Sequence, residues 1–160
     1  MIEPEQLRLR PVEPADEAFL LSVYASTRAD EMQRVPWNAE QKESFVRMQF
    51  AAQQRHYAAE NPRASHDVIL LQGSPVGRIY VDRRLDSIHI LDITVLPQHR
   101  NQGVGSHVLG RLLTEARQLE KPVTIYVESF NPSISLFERL GFRKEREKDF
   151  QFLLKWQAQH

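Results

Sequence analysis

The chain has 160 residues, 41% of them hydrophobic and 26% charged, a balance typical of one globular domain rather than of a disordered or fibrous chain. Its 21 lysines and arginines offset 21 aspartates and glutamates, which disfavours a general binder of nucleic acid or anionic membranes but leaves local charged patches open. Cysteine is absent, which excludes disulfides, thiolate metal sites and a cysteine-linked acyl intermediate.

The N-terminal part of the chain predicts a strand followed by a helix. Residues 7–10 alternate apolar and charged side chains as a half-buried strand does, and Pro11 marks the end of this strand. Pro14 suits the first position of a helix, where its missing amide donor is not needed. Leu20, Val23, Tyr24 and Thr27 are predicted to share one face of this helix.

A second helix is predicted after the break at Pro36. Asn38 and Gln41 have the spacing of a capping box, in which each side chain accepts a hydrogen bond from the backbone of the other residue. This helix is expected to stop before Pro62. Its core positions are predicted to be Phe45, Met48 and Ala52.

The middle of the chain changes from helical to strand periodicity. Residues 68–71, 76–81 and 88–95 predict three consecutive antiparallel strands, the first two joined by a turn over residues 72–75. Leu96 and Pro97 end this meander.

The last third of the chain predicts two helices and two strands. A helix begins at Val104 and ends before Pro122, a strand covers residues 123–127, and a short helix starts at Asn131. Gly141 ends the short helix, and residues 149–156 predict a final strand. The apolar stripe of the longer helix is predicted to be Val108, Leu109, Leu112, Leu113 and Ala116.

The resulting order is β-α-α-β-β-β-α-β-α-β over a single domain, residues 1–160. This order predicts an α+β fold with a mixed, mostly antiparallel central sheet and helices on both faces. The strand-helix-strand unit over residues 88–127 is expected to be a right-handed parallel crossover.

The most informative segment is residues 95–106, where a buried strand leads through a glycine turn into a helix. Gly103 and Gly105 let backbone N–H groups approach a ligand without an intervening Cβ, and the helix N-terminus adds unsatisfied donors. The pattern indicates a pyrophosphate cradle, or a turn that simply needs glycine. No Gly-Lys-Ser/Thr follows, which excludes a Walker loop, and Val108 stands where a dinucleotide fingerprint has its third glycine.

What remains is Arg100-x-x-Gly103-x-Gly105 after a strand ending in Val-x-Pro, which resembles the acyl-CoA pyrophosphate motif of the GNAT superfamily of N-acyltransferases. Residues 131–142 resemble that superfamily's later motif, an Asn-initiated helix ending in Leu-Tyr-Glu-Arg-Leu-Gly-Phe. The two segments follow the family's order, and the specific resemblance covers residues 76–142. It implies a GNAT-like fold and an N-acyltransferase that uses acetyl-CoA, with direct attack by an amine in a ternary complex.

Two other functions stay open beside this one. A non-catalytic acyl-CoA-binding or regulatory module would keep the cradle without the chemistry. A binder of another phosphorylated ligand would use the same glycine turn, and would be stabilised by that ligand rather than by CoA.

The resemblance also implies which residues hold the acyl donor. In the family, the strand before the glycine turn separates from its neighbour at a bulge, and pantetheine pairs with its exposed backbone. The N–H of Val95 is then expected to polarise the thioester carbonyl, as an oxyanion-hole donor does. The implied cofactor-binding residues are Ile93, Thr94, Val95, Arg100, Asn101, Gln102, Gly103, Val104, Gly105, Ser106, Asn131 and Phe137.

Two of these residues have structural alternatives, and a third departs from the motif. Asn131 precedes a proline at a helix start, where asparagine is also an ordinary cap, and Arg100 could be a solvated arginine. Phe137 departs from the motif, which often has a tyrosine that protonates the departing CoA thiolate. A phenyl ring donates no proton, so solvent or another group supplies one, or the thiolate leaves unprotonated, which a thiol pKa of about 8.5 tolerates.

Direct attack by an amine, whose free pKa is about 10, needs a base or a water chain. The catalytic candidates are His89 and Asp92 as bases, beside Val95 as the backbone donor. His89 matches a strand position where some family members have a glutamate base, Asp92 lies closer to the expected bulge, and Glu128 is a third candidate. A lone strand histidine is otherwise a structural residue.

The acceptor is expected to be a small-molecule amine or a protein or peptide amine, bound by residues 28–37 and 78–80. Trp37, Tyr80, Asp30 and Glu31 are candidate contacts there. No paired histidine spacing points to a metal, no nucleic-acid or membrane partner is expected, and a homodimer is compatible with the sequence. The absence of a signal-peptide pattern and of a long apolar run predicts a cytoplasmic protein.

Overall fold

The computed structural model describes residues 2–159, which contain seven strands and four α-helices. The strands are β1 (Leu7–Pro11), β2 (Ser65–Leu71), β3 (Ser74–Arg83), β4 (Ile88–Val95), β5 (Val123–Glu128), β6 (Arg143–Lys148) and β7 (Gln151–Trp156). The helices are α1 (Glu17–Gln33), α2 (Ala39–Glu60), α3 (Val104–Leu119) and α4 (Ile134–Arg139).

The strands form one sheet with the order β1-β2-β3-β4-β5-β7-β6. Only β4 and β5 pair in parallel, on either side of the α3 crossover, and the other neighbours are antiparallel. The predicted α+β class, the mostly antiparallel sheet and the parallel unit are confirmed. The structure adds one strand, β6, to the predicted element order.

The end of the chain is a hairpin rather than one strand. Residues 149 and 150, which were predicted to begin the last strand, instead form its turn, with φ of 53° at Asp149 and 64° at Phe150. The sequence does not predict β6, because all six of its residues are exposed and its charged side chains show no apolar alternation. It is a strand because it pairs with β7 at the edge of the sheet.

The principal core lies between the sheet and helices α3 and α4. The predicted stripe of α3 is buried throughout and packs on residues such as Ile88, Ile90 and Val123 of the central strands. Helices α1 and α2 cover the other face and share a smaller apolar cluster, which includes Leu20 and Phe50. Helices therefore lie on both faces, as predicted.

The buried face of α2 differs from the predicted one. Val46 and Phe50 are its buried apolar residues, whereas Met48 is 60% exposed and Ala52 is also exposed. The prediction was wrong because α2 faces the sheet partly with polar side chains, so apolar spacing alone gives the wrong rotation. Its start was predicted correctly, since Asn38 and Gln41 form both hydrogen bonds of a capping box, at 2.8 and 3.0 Å.

Candidate functional site

Strands β4 and β5 lie side by side at their start and separate before their ends. Their parallel register ends at the pair Ile90 and Ile125, although β4 continues to Val95 and β5 to Glu128. Residues 91–95 therefore lie beyond the pairing with β5, and a gap opens between the two strands.

A β-bulge in β4 coincides with this separation. The register with β3 shifts between Tyr80 and Val81, which leaves Leu91 without an opposite residue. The hydroxyl of Tyr57 in α2 donates a hydrogen bond to the carbonyl oxygen of Leu91 across 3.2 Å. Burial raises the pKa of Tyr57 to about 12, so this hydroxyl stays protonated and can act as a donor at neutral pH. Helix α2 thus holds the bulge through a side chain.

The backbone beyond the bulge directs donors into the gap. Hydrogen-bonded and non-hydrogen-bonded pairs alternate along an antiparallel ladder. Leu96 donates its N–H to the carbonyl oxygen of Val76 on β3 at 2.8 Å. The N–H groups of Val95 and Ile93, one and three residues earlier, therefore point away from β3 and towards the gap.

Gly77 allows β3 and β4 to approach closely at this point. It lies opposite Val95, and a Cβ at position 77 would overlap the carbonyl oxygen of Thr94 and lie 3.0 Å from the Cα of Val95. Any side chain here must displace the backbone of β4. Gly77 is thus a structural requirement for the position of the Val95 N–H group.

The glycine turn follows directly from the end of β4. A short 3₁₀ helix over Pro97–His99 leads into a turn in which Asn101 and Gly103 have φ of 62° and 88°. Gly103 is the N-cap of α3, so the free N–H groups of this helix begin here. Successive amides near left-handed residues form a concave set of donors suited to an anion.

Side chains around the turn leave this backbone accessible. Arg100 is exposed, and its Nε donates to the carbonyl oxygen of Val95 at 3.1 Å, which ties the turn to the end of β4. Asn101 and Gln102 are exposed, whereas the side chain of Val104 is buried in the core. Gly105 and Ser106, at the start of α3, are half-buried.

Gly105 has a packing role of its own. A Cβ at this position would lie 3.3 Å from Cδ2 of Leu136, so the start of α3 sits tightly against α4. The two segments singled out by sequence analysis are therefore adjacent in the fold. Their proximity could not be deduced from their separation along the chain.

Asn131 and Phe137 have clear structural roles. The Oδ1 atom of Asn131 accepts a hydrogen bond from the N–H of Ser133 at 2.8 Å, which stabilises the turn before α4. Phe137 is 2% exposed and packs in the main core, with its ring 5.2 Å from that of Phe142 in an edge-on arrangement. The expected contacts of both residues with pantetheine stay predictions.

His89 lies in the paired part of β4, before the gap. Its Nδ1 is 2.7 Å from Oγ1 of Thr124, its ring centroid is 5.6 Å from that of Tyr126 in a T-shaped arrangement, and it is 6% exposed. Burial lowers the pKa of His89 to about 4. The side chain is therefore neutral near pH 7 and is held as a structural hydrogen-bonding group.

Asp92 lies beyond the bulge, on the face covered by α1 and α2. Its Oδ2 accepts from Nε of Arg78 at 2.7 Å, and the hydroxyl of Thr94 is 3.1 Å from both carboxylate oxygens. Arg78 is only 1% exposed, and its other nitrogens donate to the side-chain oxygens of Gln54 and Gln53 at 3.1 and 2.7 Å. The carboxylate side chain of Asp92 keeps 25% of its surface exposed.

The residues expected to contact the acceptor divide into buried and accessible ones. Tyr80 is 8% exposed, because its ring stacks on His66 at 4.2 Å and meets Tyr57 edge-on. Trp37 is 40% exposed, and its ring packs against that of Phe45 in a T-shaped arrangement. Tyr80 is therefore core rather than pocket wall.

Arg28 brings α1 to the end of β5. Its Nη1 donates to Glu31 at 2.9 Å and lies 3.9 Å from Oε1 of Glu128. Its guanidinium also lies over the ring of Tyr24, 5.4 Å from the centroid. Glu31 and Asp30 are exposed on the same helix. This end of α1 forms one side of the mouth of the gap.

Within residues 2–159, no three His, Cys, Asp or Glu side chains are grouped as metal ligands. None of the helices in the same range combines the length and apolar character that crossing a bilayer requires.

The family model for the acetyltransferase (GNAT) family matches residues 24–142, which include the gap, the glycine turn and α4. The chain belongs to this family. Membership supports acyl transfer and does not support the non-catalytic alternative. No curated protein sequence matches the chain.

Solved structures of GNAT proteins have the same fold. PaiA N-acetyltransferase from Thermoplasma acidophilum, in complex with coenzyme A, has a TM-score of 0.73 at 15% identity, and the alignment covers 95% of this chain and 99% of that one. An acetyltransferase from Thermus thermophilus has a TM-score of 0.70 at 18% identity, covering 96% and 97%. The ribosomal-protein-S18-alanine N-acetyltransferase from Escherichia coli has a TM-score of 0.61 at 19% identity, covering 96% and 95%.

The sequence did not point to several residues that shape this candidate site. An isolated glycine in an apolar strand often marks a close approach of two backbones, and this signal could have found Gly77. Arg78, which is expected near the acceptor, is a buried partner of Asp92. No signal in the sequence pointed to Tyr57 or the two glutamines, because their partners lie on distant strands.

Proposed function

We propose that the chain is a single-domain N-acetyltransferase that transfers the acetyl group of acetyl-CoA directly to an amine. The observation that carries this proposal is the gap between β4 and β5, which ends at a glycine turn and a helix N-terminus. An extended pantetheine arm could lie in the gap while a pyrophosphate binds at the turn. Acetyl-CoA supplies the activated thioester, and the protein supplies position and charge.

The pyrophosphate is proposed to bind the backbone of residues 100–106. Gly103 at φ 88° presents its amide without a side chain, and the first N–H groups of α3 follow it. Arg100 is anchored on the carbonyl oxygen of Val95 and can add a positive charge beside the phosphates. The PaiA structure contains coenzyme A and has the same fold, which supports this placement.

The reacting end is proposed to lie along residues 93–95. The N–H of Val95 would donate to the thioester carbonyl oxygen, where negative charge grows as the amine attacks. A preorganised donor of this kind stabilises the transition state more than the ground state. The Tyr57 contact to Leu91 and the missing side chain of Gly77 keep this amide in place.

Asp92 is proposed to receive the amine proton. It lies beyond the bulge, partly exposed, and Thr94 can relay a proton to either carboxylate oxygen across 3.1 Å. His89 is disfavoured for this role, because it lies before the gap, is buried and has a pKa lowered to about 4. The buried ring of Phe137 donates no proton, so the CoA thiolate is proposed to leave unprotonated or to take a proton from water, since a thiol has a pKa of about 8.5.

The cradle is tested by calorimetric titration of acetyl-CoA into two matched variants, Gly103→Ala and Gly73→Ala. Both glycines have positive φ, 88° and 83°, and no neighbouring atom lies within 3.4 Å of an added Cβ in either case. Both variants should therefore lose a similar stability, about 1–2 kcal/mol. Only Gly103→Ala is expected to lose acetyl-CoA affinity, and equal affinities in the two variants would contradict the cradle.

The reaction is tested by release of the CoA thiol in the presence of a panel of primary amines. Turnover should then be measured for Asp92→Asn, His89→Gln and Glu128→Gln. Calorimetric unfolding should confirm that each variant is folded at the assay temperature. Asp92→Asn is expected to lower kcat by about 10²–10⁴ with acetyl-CoA affinity retained. A comparable loss of kcat in Glu128→Gln alone would assign the role of base to Glu128, at the end of β5.

A further inference from the structure

A continuous face of the sheet extends from the gap across β5, β7 and β6. Residues directly opposite each other in antiparallel strands share a face of the sheet. Three cross-strand rows follow from the registers of β7 with β5 and with β6. These rows are Thr124–Lys155–Arg143, Tyr126–Leu153–Arg146 and Glu128–Gln151–Lys148. The surface formed by these nine residues is called the wing face.

The wing face is strongly basic although the whole chain is neutral. It carries Arg143, Arg146, Lys148 and Lys155, and Glu128 is its single carboxylate. Within residues 2–159, none of these four cations has a carboxylate within 4.0 Å. Other arginines do have one, such as Arg10 at 2.8 Å and Arg83 at 2.6 Å.

Acidic residues border this surface without neutralising it. Glu145 lies at the register shift of β6, and Asp149 lies in the turn of the hairpin. Glu147 belongs to the opposite face, because it pairs with the buried Phe152. Glu128 is already approached by Arg28 at 3.9 Å. The four cations therefore keep an excess of positive charge.

The wing face is accessible and continues into the gap. Arg143, Arg146 and Lys148 are exposed, and Tyr126 is 48% exposed. Tyr126 is one residue beyond Ile125, where β5 leaves β4, and its hydroxyl accepts from Nη2 of Arg146 at 3.2 Å. A molecule on this surface would thus reach the wall of the gap where the acyl group is proposed to react.

The shape of the surface favours an extended ligand. From Arg143 to Lys148 the strand advances by about 16 Å, at about 3.3 Å per residue, which is longer than a small amine. β6 is the last strand of the sheet, so its outer edge can pair with an added extended peptide. The neutral total charge disfavours a nucleic-acid backbone, which usually requires a larger basic surface.

We propose that the wing face docks an acidic polypeptide, and that this polypeptide carries the acceptor amine. The proposal rests on the proposed acetyltransferase function and adds the class of acceptor. Glutamate or aspartate side chains of the polypeptide would pair with the four cations, while its amine enters the gap beside Tyr126.

Binding is measured first, because it does not depend on turnover. Two fluorescent peptides with the same lysine and the same free N-terminus differ only in their other residues, which are glutamates in one and glutamines in the other. Anisotropy in the presence of CoA should show that the glutamate peptide binds at least about tenfold more tightly, and that added salt removes the difference.

The contribution of the wing face is isolated by a triple variant and a matched control. Arg143→Gln, Arg146→Gln and Lys148→Gln together should remove the preference for the glutamate peptide. Lys144→Gln removes one cation from the same strand but from the opposite face, where Lys144 lies over the ring of Phe152. The control should keep the preference, and melting temperatures should confirm that both variants are folded.

Kinetics separates failure of this inference from failure of the proposed function. The triple variant should raise KM for the glutamate peptide by about tenfold and leave kcat, acetyl-CoA affinity and the KM for the glutamine peptide unchanged. If the native protein does not bind acetyl-CoA, the proposed function itself is contradicted.

Three results would overturn the inference. The first is equal binding of the two peptides by the native protein, and the second is an unchanged preference in the triple variant. The third is displacement of the glutamate peptide by a single-stranded oligonucleotide at lower concentration than by poly-L-glutamate, which would assign the surface to nucleic acid.

Discussion

Nε of Arg78 lies 2.7 Å from Oδ2 of Asp92, and this ion pair joins a fully buried guanidinium to a partly exposed carboxylate. The same guanidinium binds Gln53 and Gln54 of α2, so the pair connects the helix to the strand that lines the gap. A carboxylate beside the proposed acyl site is thus held by a group that solvent hardly reaches.

The energetic coupling of this pair is measurable by a double-mutant cycle. Arg78→Met, Asp92→Asn and the double variant should be unfolded in urea and compared with the native protein. We expect a coupling energy of about 1–3 kcal/mol, because each single change leaves a partner with fewer hydrogen bonds. Asp92→Asn alone is expected to cost about 1–3 kcal/mol, since Arg78 then keeps a buried charge without a charged partner. A coupling near zero would show that the interaction between these two side chains contributes nothing to stability.

Stability is expected to fall with acid because of two shielded histidines, the buried His89 and the half-buried His66. Burial lowers the pKa of both His66 and His89 to about 4 in the folded protein, whereas an unfolded histidine has a pKa of about 6.5. The contribution of the two neutral histidines to the free energy of unfolding is therefore complete above about pH 6.5. It is lost as pH falls towards about 4, because mainly the unfolded state takes up protons in this range. The loss is on the order of 3 kcal/mol for each histidine.

Urea unfolding at a series of pH values checks this expectation. His89→Gln should flatten the dependence of the unfolding free energy on pH between about 4 and 6.5. His56→Gln removes an exposed histidine of α2 and is the matched control. If the slope of His89→Gln equals that of the native protein, His89 is not shielded as the structure indicates.

Gly77→Ala is expected to damage both stability and the site. The added Cβ would meet the backbone of Thr94 and Val95, which cannot move without displacing β4. We expect a lower melting temperature and weaker acetyl-CoA binding, measured by calorimetry. Gly110→Ala is the control, because a Cβ at this helical position has no atom within 4 Å. It should stabilise α3 by about 0.5–1 kcal/mol and leave binding unchanged.

Phe137→Tyr is expected to destabilise the protein without accelerating turnover. Phe137 is 2% exposed and packed in the core, so a phenolic hydroxyl added there has to find a partner among apolar side chains. An unsatisfied buried hydroxyl costs about 1–3 kcal/mol. Phe150→Tyr, at a position that is 77% exposed, is the control and should be nearly neutral. A normal melting temperature together with faster turnover below about pH 8 would instead place Phe137 beside the thiolate.

Elements with a strong local signal were predicted closely from the sequence. The apolar stripe of α3 and the capping box of Asn38 and Gln41 depend on residues that are close together along the chain. A short stretch of sequence therefore contains the whole pattern. The glycine turn was located for the same reason, since a strand, Gly103 and a helix start are contiguous.

Elements stabilised by distant partners were predicted poorly. Apolar spacing alone predicts a core position for Met48, which is exposed. The sequence does not predict β6, because a charged edge strand is defined by its pairing with β7. The turn at Asp149 and Phe150 carries no glycine to mark it.

The sequence by itself determined the family resemblance, the fold class and the candidate residues of the acyl-donor site. Only the tertiary structure decided how these candidates differ from one another: His89 is enclosed in the paired part of the sheet, whereas Asp92 lies beyond the bulge and is bound to Arg78. The physical reason is that burial and ion pairing depend on the register of neighbouring strands and on the helix above them. Neither quantity is encoded in the spacing of residues along one strand.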